Sequence, residues 1–258
     1  MPISNNSEGI DLDRYDLLDL VEEGNIEAAL ELYHAGDFGA VTTAAISGHL
    51  DVLSALLDVG LDVNARDQDG CTALIAAAAM DDDAPIRFLI SRGADVNAEA
   101  PGSVTALVEA AAADSVKIIQ VLLDAGADLH SQGWYAAARA ISSYHYRSMD
   151  MMLRAGVDVN ACDEHGNSLL SIAAFAGRIS TVDDLLKRGA TANSANRSGH
   201  SVLMYGAQSR VPQVVQLLID HGADVAAKRK DGFTALRLAR DRGDQGIVQI
   251  LAQAGAVE

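Results

Sequence analysis

Four histidines and one run of three aspartates are the side chains whose types could support catalysis or metal binding. They are His130, His145, His165, His200, Asp81, Asp82 and Asp83. A protein-bound zinc ion takes about three or four convergent ligands, whereas neighbouring carboxylates do not converge on one ion by themselves. We expect the histidines on solvent-facing turns or helix edges and the aspartates in a solvated acidic turn. A metal between His165 and His200, which gives only two ligands, and a cation site at the aspartates are the alternatives.

The sequence contains no pattern typical of a catalytic centre. A nucleophile elbow, a phosphate-binding loop, H-E-x-x-H and C-x-x-C are all absent. Cys71 and Cys162 have neither the number nor the spacing of a disulfide framework or a metal site, and we expect no bridge between them. No segment outside the repeat described below is long enough to hold a catalytic domain. The sequence therefore predicts a protein that is not an enzyme and that uses no cofactor or metal.

The composition predicts closely packed helices. Hydrophobic residues make up 49% of the 258 residues, but aromatic residues make up only 4%, so Ala, Leu, Val and Ile must build the core. The first residues are polar and acidic, and no apolar run approaches the roughly 20 residues that span a bilayer. We expect a cytoplasmic protein without a signal peptide. The preference for Arg over Lys, together with the high Ala content, hints at a bacterial source.

The negative charge is concentrated in the first half of the chain. Residues 1–138 carry 24 acidic and 5 basic side chains, a net −19, whereas residues 139–258 carry 12 and 14, a net +2. Nucleic acids and anionic membrane surfaces attract Lys and Arg, so neither is an expected partner. The acidity serves solubility alone, or it matches a partner protein with a basic surface.

A glycine that follows an apolar helix recurs along the whole chain. The sequence places it at Gly60, Gly93, Gly126, Gly156, Gly189, Gly222 and Gly255. A second glycine recurs in the turns DQDGCT, DEHGNS, NRSGHS and RKDGFT. The spacing of 33 residues, or 30 between Gly126 and Gly156, predicts a repeated unit of turn, helix, turn and helix. No single unit could bury its apolar face, so the units must stack.

Local signals predict where these helices begin and end. The recurrent helix-ending glycine suits the left-handed conformation that follows a helix. A hydroxyl residue stands where it would cap the first helix of a unit by accepting from a free backbone N–H. These predicted caps are Thr72, Thr105, Ser168, Ser201 and Thr234.

The D-x-x-G-x-T turn, the helix ending LL-x-x-G and the following A-D-V-N-A resemble the ankyrin repeat. The resemblance covers about residues 15–258 and implies an all-α fold, an ankyrin-repeat solenoid of stacked helix-turn-helix units with short hairpin-like turns. The sequence departs from the ankyrin-repeat pattern consistently at one point, where T-A-L stands in place of the usual T-P-L-H. We expect residues 1–13 to be poorly ordered and 14–258 to form a single domain. Its eight units would span about 14–36, 37–66, 67–99, 100–129, 130–162, 163–195, 196–228 and 229–258.

The resemblance also implies a function, because ankyrin proteins usually bind partners on the projecting turns and the edge of the first helices. We therefore expect a module that is monomeric alone and binds another protein, with an inhibitor or immunity protein as one form. A secreted effector that engages host proteins is the alternative, and an enzyme is the third hypothesis. Apart from the residues of the fifth unit described below, the expected binding residues are Gln68, Asp69, Met80, Asp81, Asp82, His165, Phe175, His200 and Phe233.

The fifth unit differs from the others in its aromatic content. It holds the only Trp of the chain and three of the six Tyr residues, and it follows a connection three residues short. Aromatic side chains dominate binding hot spots, so Trp134, placed on a projecting turn, together with Tyr135 and Tyr144, is a candidate binding cluster. Alternatively, the rings fill the gap left by the shorter turn, and Glu109 pairs with Arg139 between stacked units.

Overall fold

The computed structural model describes residue 25 and residues 39–257. Fourteen α-helices and no β-strand occur in this part of the chain, so the all-α prediction is confirmed. The helices are α1 (Gly39–Ile46), α2 (Leu50–Asp58), α3 (Ala73–Ala77), α4 (Asp83–Ser91), α5 (Ala106–Ala112), α6 (Val116–Asp124), α7 (Leu129–Ser142), α8 (Tyr146–Arg154), α9 (Leu169–Phe175), α10 (Ile179–Lys187), α11 (Val202–Gln208), α12 (Pro212–Asp220), α13 (Ala235–Asp241) and α14 (Gln245–Gln253). The expected poorly ordered segment 1–13 lies outside the described residues, as does the expected first unit, 14–36, apart from residue 25.

The chain divides into two compact units, Met1–Asp128 and Leu129–Glu258. In the first unit α1, α3 and α5 lie side by side, and α2, α4 and α6 form a second row. In the second unit α7, α9, α11 and α13 lie side by side, while α10, α12 and α14 form a second row and α8 packs on α7. Each unit is therefore a stack of helix pairs.

The predicted caps are confirmed at both ends of the helices. Thr72, Thr105, Ser168, Ser201 and Thr234 each precede a first helix and accept a hydrogen bond from the backbone N–H three residues ahead. All seven recurrent helix-ending glycines have φ between +83° and +111°. Both groups of residues satisfy backbone groups that a helix terminus leaves without partners.

The core consists of small and medium side chains, as the composition predicts. On the first helices Ala73, Ala77, Ala106 and Ala110 are buried, which lets neighbouring helices approach closely. Leu and Ile of the second helices fill the space between the rows, and Leu53, Ile86 and Ile119 are fully buried. Removal of such area from water is the main favourable term in folding.

The asparagine of the V-N-A sequence links successive repeats, which explains a motif whose role the sequence alone did not give. The Asn160 side-chain amide donates to the Gly189 carbonyl at 3.1 Å, and its Oδ1 accepts from Thr191 N at 2.9 Å. Equivalent pairs of bonds join the next repeat at Asn64, Asn97 and Asn193. One side chain thus satisfies both a carbonyl and an N–H of the following repeat.

Helix α7 departs from the repeat and corrects one prediction. It has 14 residues, whereas the other first helices have five to eight. The prediction that Trp134 lies on a projecting turn is wrong, because residues 129–142 form one continuous helix. The segment LHSQGWY has no D-x-x-G turn sequence, and helix replaces the turn.

No described helix combines the length and the apolar character that crossing a membrane requires.

Candidate functional site

In the first unit the ends of the first helices expose an apolar edge. Ile46 ends α1 and is 41% exposed, and Met80 follows α3 and is 37% exposed. Ala79 and Ala113 are also exposed on this side of the neighbouring helices. We call Ile46, Ala79, Met80 and Ala113 the apolar edge. Met80 was predicted as a binding residue, whereas Ile46 was not, because no D-x-x-G-x-T turn sequence precedes its helix.

The three predicted binding aspartates lie directly after Met80 in the sequence or on the turn that precedes α3. Asp81 is exposed and accepts from Ser115 Oγ at 3.4 Å, and Asp82 caps α4 by accepting from Ala84 N at 3.0 Å. Gln68 and Asp69 are exposed on the turn that ends at Thr72. Asp69, Asp81 and Asp82 form no ion pair within the described part of the chain, so their charges face solvent.

Asp83 has a different role from its two neighbours. It is buried and pairs with Lys117 and with Arg87, the latter at 2.7 Å. The hydrogen bond from Lys117, followed by that from Arg87, lowers the pKa of the Asp83 carboxyl. The run therefore consists of one solvated carboxylate, one helix cap and one carboxylate with two ion pairs. Among residues 39–257, no group of three or more His, Cys, Asp or Glu side chains could hold a metal ion.

In the second unit the first turns of α7 border a groove with a volume of about 540 Å³. Trp134 and Tyr135 lie against each other edge to face, with ring centroids 5.1 Å apart and planes at 88°. The groove is lined by Leu129, His130, Ser131, Trp134, Tyr135, Ala155, Gly156, Val157, Asp158, Ala161, Cys162, Asp163 and Glu164. Two of the three predicted fifth-unit residues therefore share one concave surface.

Hydrogen bonding and charge give this groove a negative character. The Tyr135 hydroxyl donates to Glu164 Oε2 at 2.8 Å, and this bond is the main reason that the pKa of Glu164 is lowered. Asp158 and Asp163 add two further carboxylates, and the lining contains no Lys or Arg. The groove therefore favours a cationic ligand group.

His200 is not on a solvent-facing position, which corrects the prediction for this residue. Its side chain is buried beneath the Tyr205 ring, with centroids 4.3 Å apart, and its Nε2 has no hydrogen-bond partner among the described residues. Burial, and then the Arg229 charge, lower the pKa of His200, so the ring favours its neutral form. His165 is exposed, and its ring lies 3.6 Å from Glu164 as an ionic partner.

The repeated helix pairs match a known protein family over most of the chain. The family model for ankyrin repeats (3 copies) matches residues 17–100 and 170–257. The chain belongs to the ankyrin-repeat family. The crystal structure of the human ASB11 ankyrin repeat domain superposes with a TM-score of 0.73 at 24% identity, covering 84% of this chain and 98% of that one. At this identity the likeness supports the fold, and a search of curated protein sequences gives no significant match.

Ankyrin repeats generally mediate protein–protein interaction. Three further predicted binding residues, Phe175, Phe233 and Tyr144, lie at a helix end or in turns of the second unit. Phe175 ends α9 and is 54% exposed, with its edge toward Tyr205 at 6.1 Å. Phe233 lies half-buried in its turn between the Arg229 and Arg237 guanidinium groups, at 4.9 and 4.3 Å. Tyr144 is exposed in the turn between α7 and α8, where Arg178 lies over its ring. It does not line the groove of Trp134.

The sequence missed one polar cluster of these ankyrin units. The Tyr205 hydroxyl donates to Asn167 Oδ1 at 2.7 Å and accepts from Asn196 Nδ2 at 2.9 Å. The three side chains come from two turns and one helix, separated by up to 38 residues. The repeat register would place them in adjacent units, but only the structure shows that they join.

Proposed function

We propose that this ankyrin-repeat chain is a non-catalytic module that binds a partner protein through a basic surface on that partner. One observation carries the proposal: exposed carboxylates without ion pairs lie beside the exposed apolar edge of the first unit. An apolar centre with a charged rim is the usual anatomy of a protein interface. The partner would place apolar side chains against Met80 and basic side chains opposite Asp69, Asp81 and Asp82.

The basic side chains of residues 39–128 strengthen this proposal, because internal contacts already occupy them. Residues 39–128 carry 4 basic and 14 acidic side chains, a net −10. Arg87 and Lys117 pair with Asp83, Arg92 pairs with Asp58, and Arg66 donates to two backbone carbonyls. The cations are thus used inside the unit, while most carboxylates face outward. A chain that covers a basic surface in this way suits an inhibitor of its partner.

The test begins with affinity capture of the partner from source cells and its identification by mass spectrometry. The association rate is then measured for the wild type and for the triple variant Asp69→Asn, Asp81→Asn, Asp82→Asn. Asn keeps the helix cap at position 82, and Asp83 stays intact because its ion pairs support the fold. We expect the association rate to fall about tenfold at low salt, since complementary charge steers encounter.

A second triple variant serves as the control, because it removes the same charge away from the apolar edge. It carries Asp62→Asn, Asp95→Asn and Asp124→Asn, which are exposed and lie at or after the C-terminal ends of the second helices. Met80→Ala adds a test of the apolar contact, and we expect it to weaken affinity about fivefold. Equal association rates for both triple variants, with unchanged affinity for Met80→Ala, would contradict the proposal.

A further inference from the structure

The groove beside Trp134, Tyr135 and Glu164, in the second unit, has a chemistry that the apolar edge lacks. It contains two perpendicular aromatic rings and a carboxylate, and the hydrogen bond from Tyr135 to Glu164 holds the carboxylate beside the rings. The lining has three carboxylates and no Lys or Arg, although the second unit as a whole has more basic than acidic residues. This local reversal of charge marks the groove as distinct from its surroundings.

The three carboxylates differ in how much hydrogen-bonding capacity remains for a ligand. Asp163 accepts from His165 N and Asn167 N, and also from the Asn167 amide, so the turn uses most of its capacity. Asp158 accepts from Asn160 N at 2.9 Å through one oxygen. Glu164 has an exposed side chain that accepts from Tyr135 through one oxygen and has His165 near the other. Since an ionised carboxylate has about four acceptor sites, Asp158 and Glu164 retain capacity for an incoming donor.

A guanidinium group fits this combination better than an ammonium group does. It is planar, stacks on aromatic faces and donates two parallel hydrogen bonds to a carboxylate. An ammonium group is more strongly hydrated and presents no planar fork. The volume of about 540 Å³ also exceeds what one side chain fills, so there is room for the backbone beside the arginine.

We propose that this groove binds an arginine side chain of an extended segment of the partner protein, with the guanidinium on Glu164 and against the Trp134–Tyr135 pair. The inference rests on the proposed function, which makes the ligand a protein. It adds a second contact site and the identity of the side chain that this site recognises.

Trp134 is the only tryptophan of the chain, so its indole reports on the groove without labelling. The probe is the capped peptide acetyl-Ala-Ala-Arg-Ala-Ala-amide, titrated to about 10 mM while the indole N–H signal is followed by NMR. We expect a saturable shift of that signal. The citrulline peptide, a neutral analogue of similar shape, is expected to give none, and the lysine peptide is expected to bind several-fold more weakly.

Two variants assign the contacts of the probe. Glu164→Gln removes the charge, and we expect it to weaken binding about tenfold because hydrogen bonds to charged groups are the strong ones. Glu99→Gln, which removes an exposed carboxylate of the first unit, is the matched control and should leave binding unchanged. Thermal unfolding of both variants checks that the fold persists.

Tyr135→Phe tests the positioning of Glu164 by Tyr135. The hydroxyl bond lowers the pKa of Glu164, so its loss should move that pKa upward. Binding of the arginine peptide should then be lost at a higher pH in Tyr135→Phe than in the wild type as the solution is acidified. A merely structural role for the hydroxyl would lower affinity without moving the pH profile.

The proposal is overturned if the indole signal does not shift up to the highest concentration, or if the citrulline peptide shifts it equally. The peptide assay needs no natural partner, so its failure is distinct from failure of the proposed function. If binding of the captured partner depends on Met80 but the arginine peptide does not bind, the proposed protein-binding function is supported and the proposed arginine site is contradicted.

Discussion

At the scale of single residues, the structure separates positions that serve the fold from positions that face a partner. His200 and Phe233 both belong to the turn sequences that the repeat register places on the binding side. His200 is buried under Tyr205, whereas Phe233 is half-buried and held by two arginines. The repeat register gives the position of a residue within its unit, but the exposed fraction of its side chain depends on how the surrounding residues pack.

The buried His200 predicts a dependence of stability on pH. Burial and the Arg229 charge hold the pKa of His200 below its ordinary value of 6.5, while Asp231 opposes this shift. The unfolded chain therefore binds more protons than the folded chain once the pH falls below about 6.5. The free energy of unfolding should decrease with acidification through that range and show no loss from this residue above it.

Urea unfolding at pH 7.5 and 5.5 measures this effect, with His200→Gln as the comparison. The variant keeps a polar side chain but cannot titrate, so its stability should fall less between the two pH values. Equal losses in the two proteins would show that His200 does not contribute. Carboxylates elsewhere act in both proteins and cancel in the difference.

Arg210 occupies a backbone conformation that an arginine disfavours. It has φ +62° in the turn between α11 and α12, where the equivalent turns hold Gly48, Gly177 and Gly243 with similar positive φ. Left-handed backbone costs a non-glycine residue roughly 1–2 kcal/mol, and the Arg210 side chain is exposed. We expect Arg210→Gly to raise the free energy of unfolding by about 1 kcal/mol.

Gly243 provides the reciprocal experiment for Arg210. It has φ +73°, and an added Cβ would meet no atom within 4 Å, so any cost of Gly243→Ala comes from the backbone alone. That variant should lose about 1 kcal/mol. If Arg210→Gly lowers the thermal midpoint, the side chain makes a stabilising contact that outweighs the strain.

At the scale of elements, α7 is the main departure from the repeat, and a glycine permits its packing. A Cβ on Gly133 would lie 2.6 Å from Val157 Cγ2, and real Cβ atoms do not approach so closely. The absent side chain lets the extended helix lie against the segment that follows α8. This packing forms one wall of the groove that holds Trp134 and Tyr135.

Gly133→Ala should therefore destabilise the protein although Ala favours helices. Overpacking typically costs about 1–3 kcal/mol, which exceeds the roughly 1 kcal/mol that Ala gains over Gly in a helix. Gly246→Ala in α14 is the matched control, because its nearest contacts would be ordinary at 3.5 and 3.6 Å, and it should stabilise. Chemical unfolding of Gly133→Ala, Val157→Ala and the double variant should show that Val157→Ala relieves the cost. Independent, additive effects would contradict this packing.

The sequence predicted the regular elements well because each is specified locally. A cap such as Thr72 and a glycine such as Gly93 act within a few residues, and their roles are confirmed. The extension of α7 was not predicted, since a short connection is compatible with a short turn as well as with continued helix. The Tyr205 cluster was missed for another reason, as it joins side chains up to 38 residues apart.

At the scale of the whole molecule, the chain consists of two compact units with different binding chemistry. The first unit offers apolar side chains beside carboxylates without ion pairs, and the second offers an aromatic groove for a guanidinium. Both suit a partner with basic side chains, but neither depends on the other for its local structure. This predicts that a partner contacts the turns and first helices, while the outer surface of the second helices stays free.

Photo-crosslinking of the captured partner tests this central claim most directly. Benzoylphenylalanine is placed at Met80 or Tyr135 on the expected binding side, and at Gln120 or Gln216, which are exposed on the second helices α6 and α12. We predict partner crosslinks from position 80, position 135 or both, and none from positions 120 and 216. Crosslinks confined to positions 120 and 216 would contradict the account, because the partner would then bind the opposite side of the repeats.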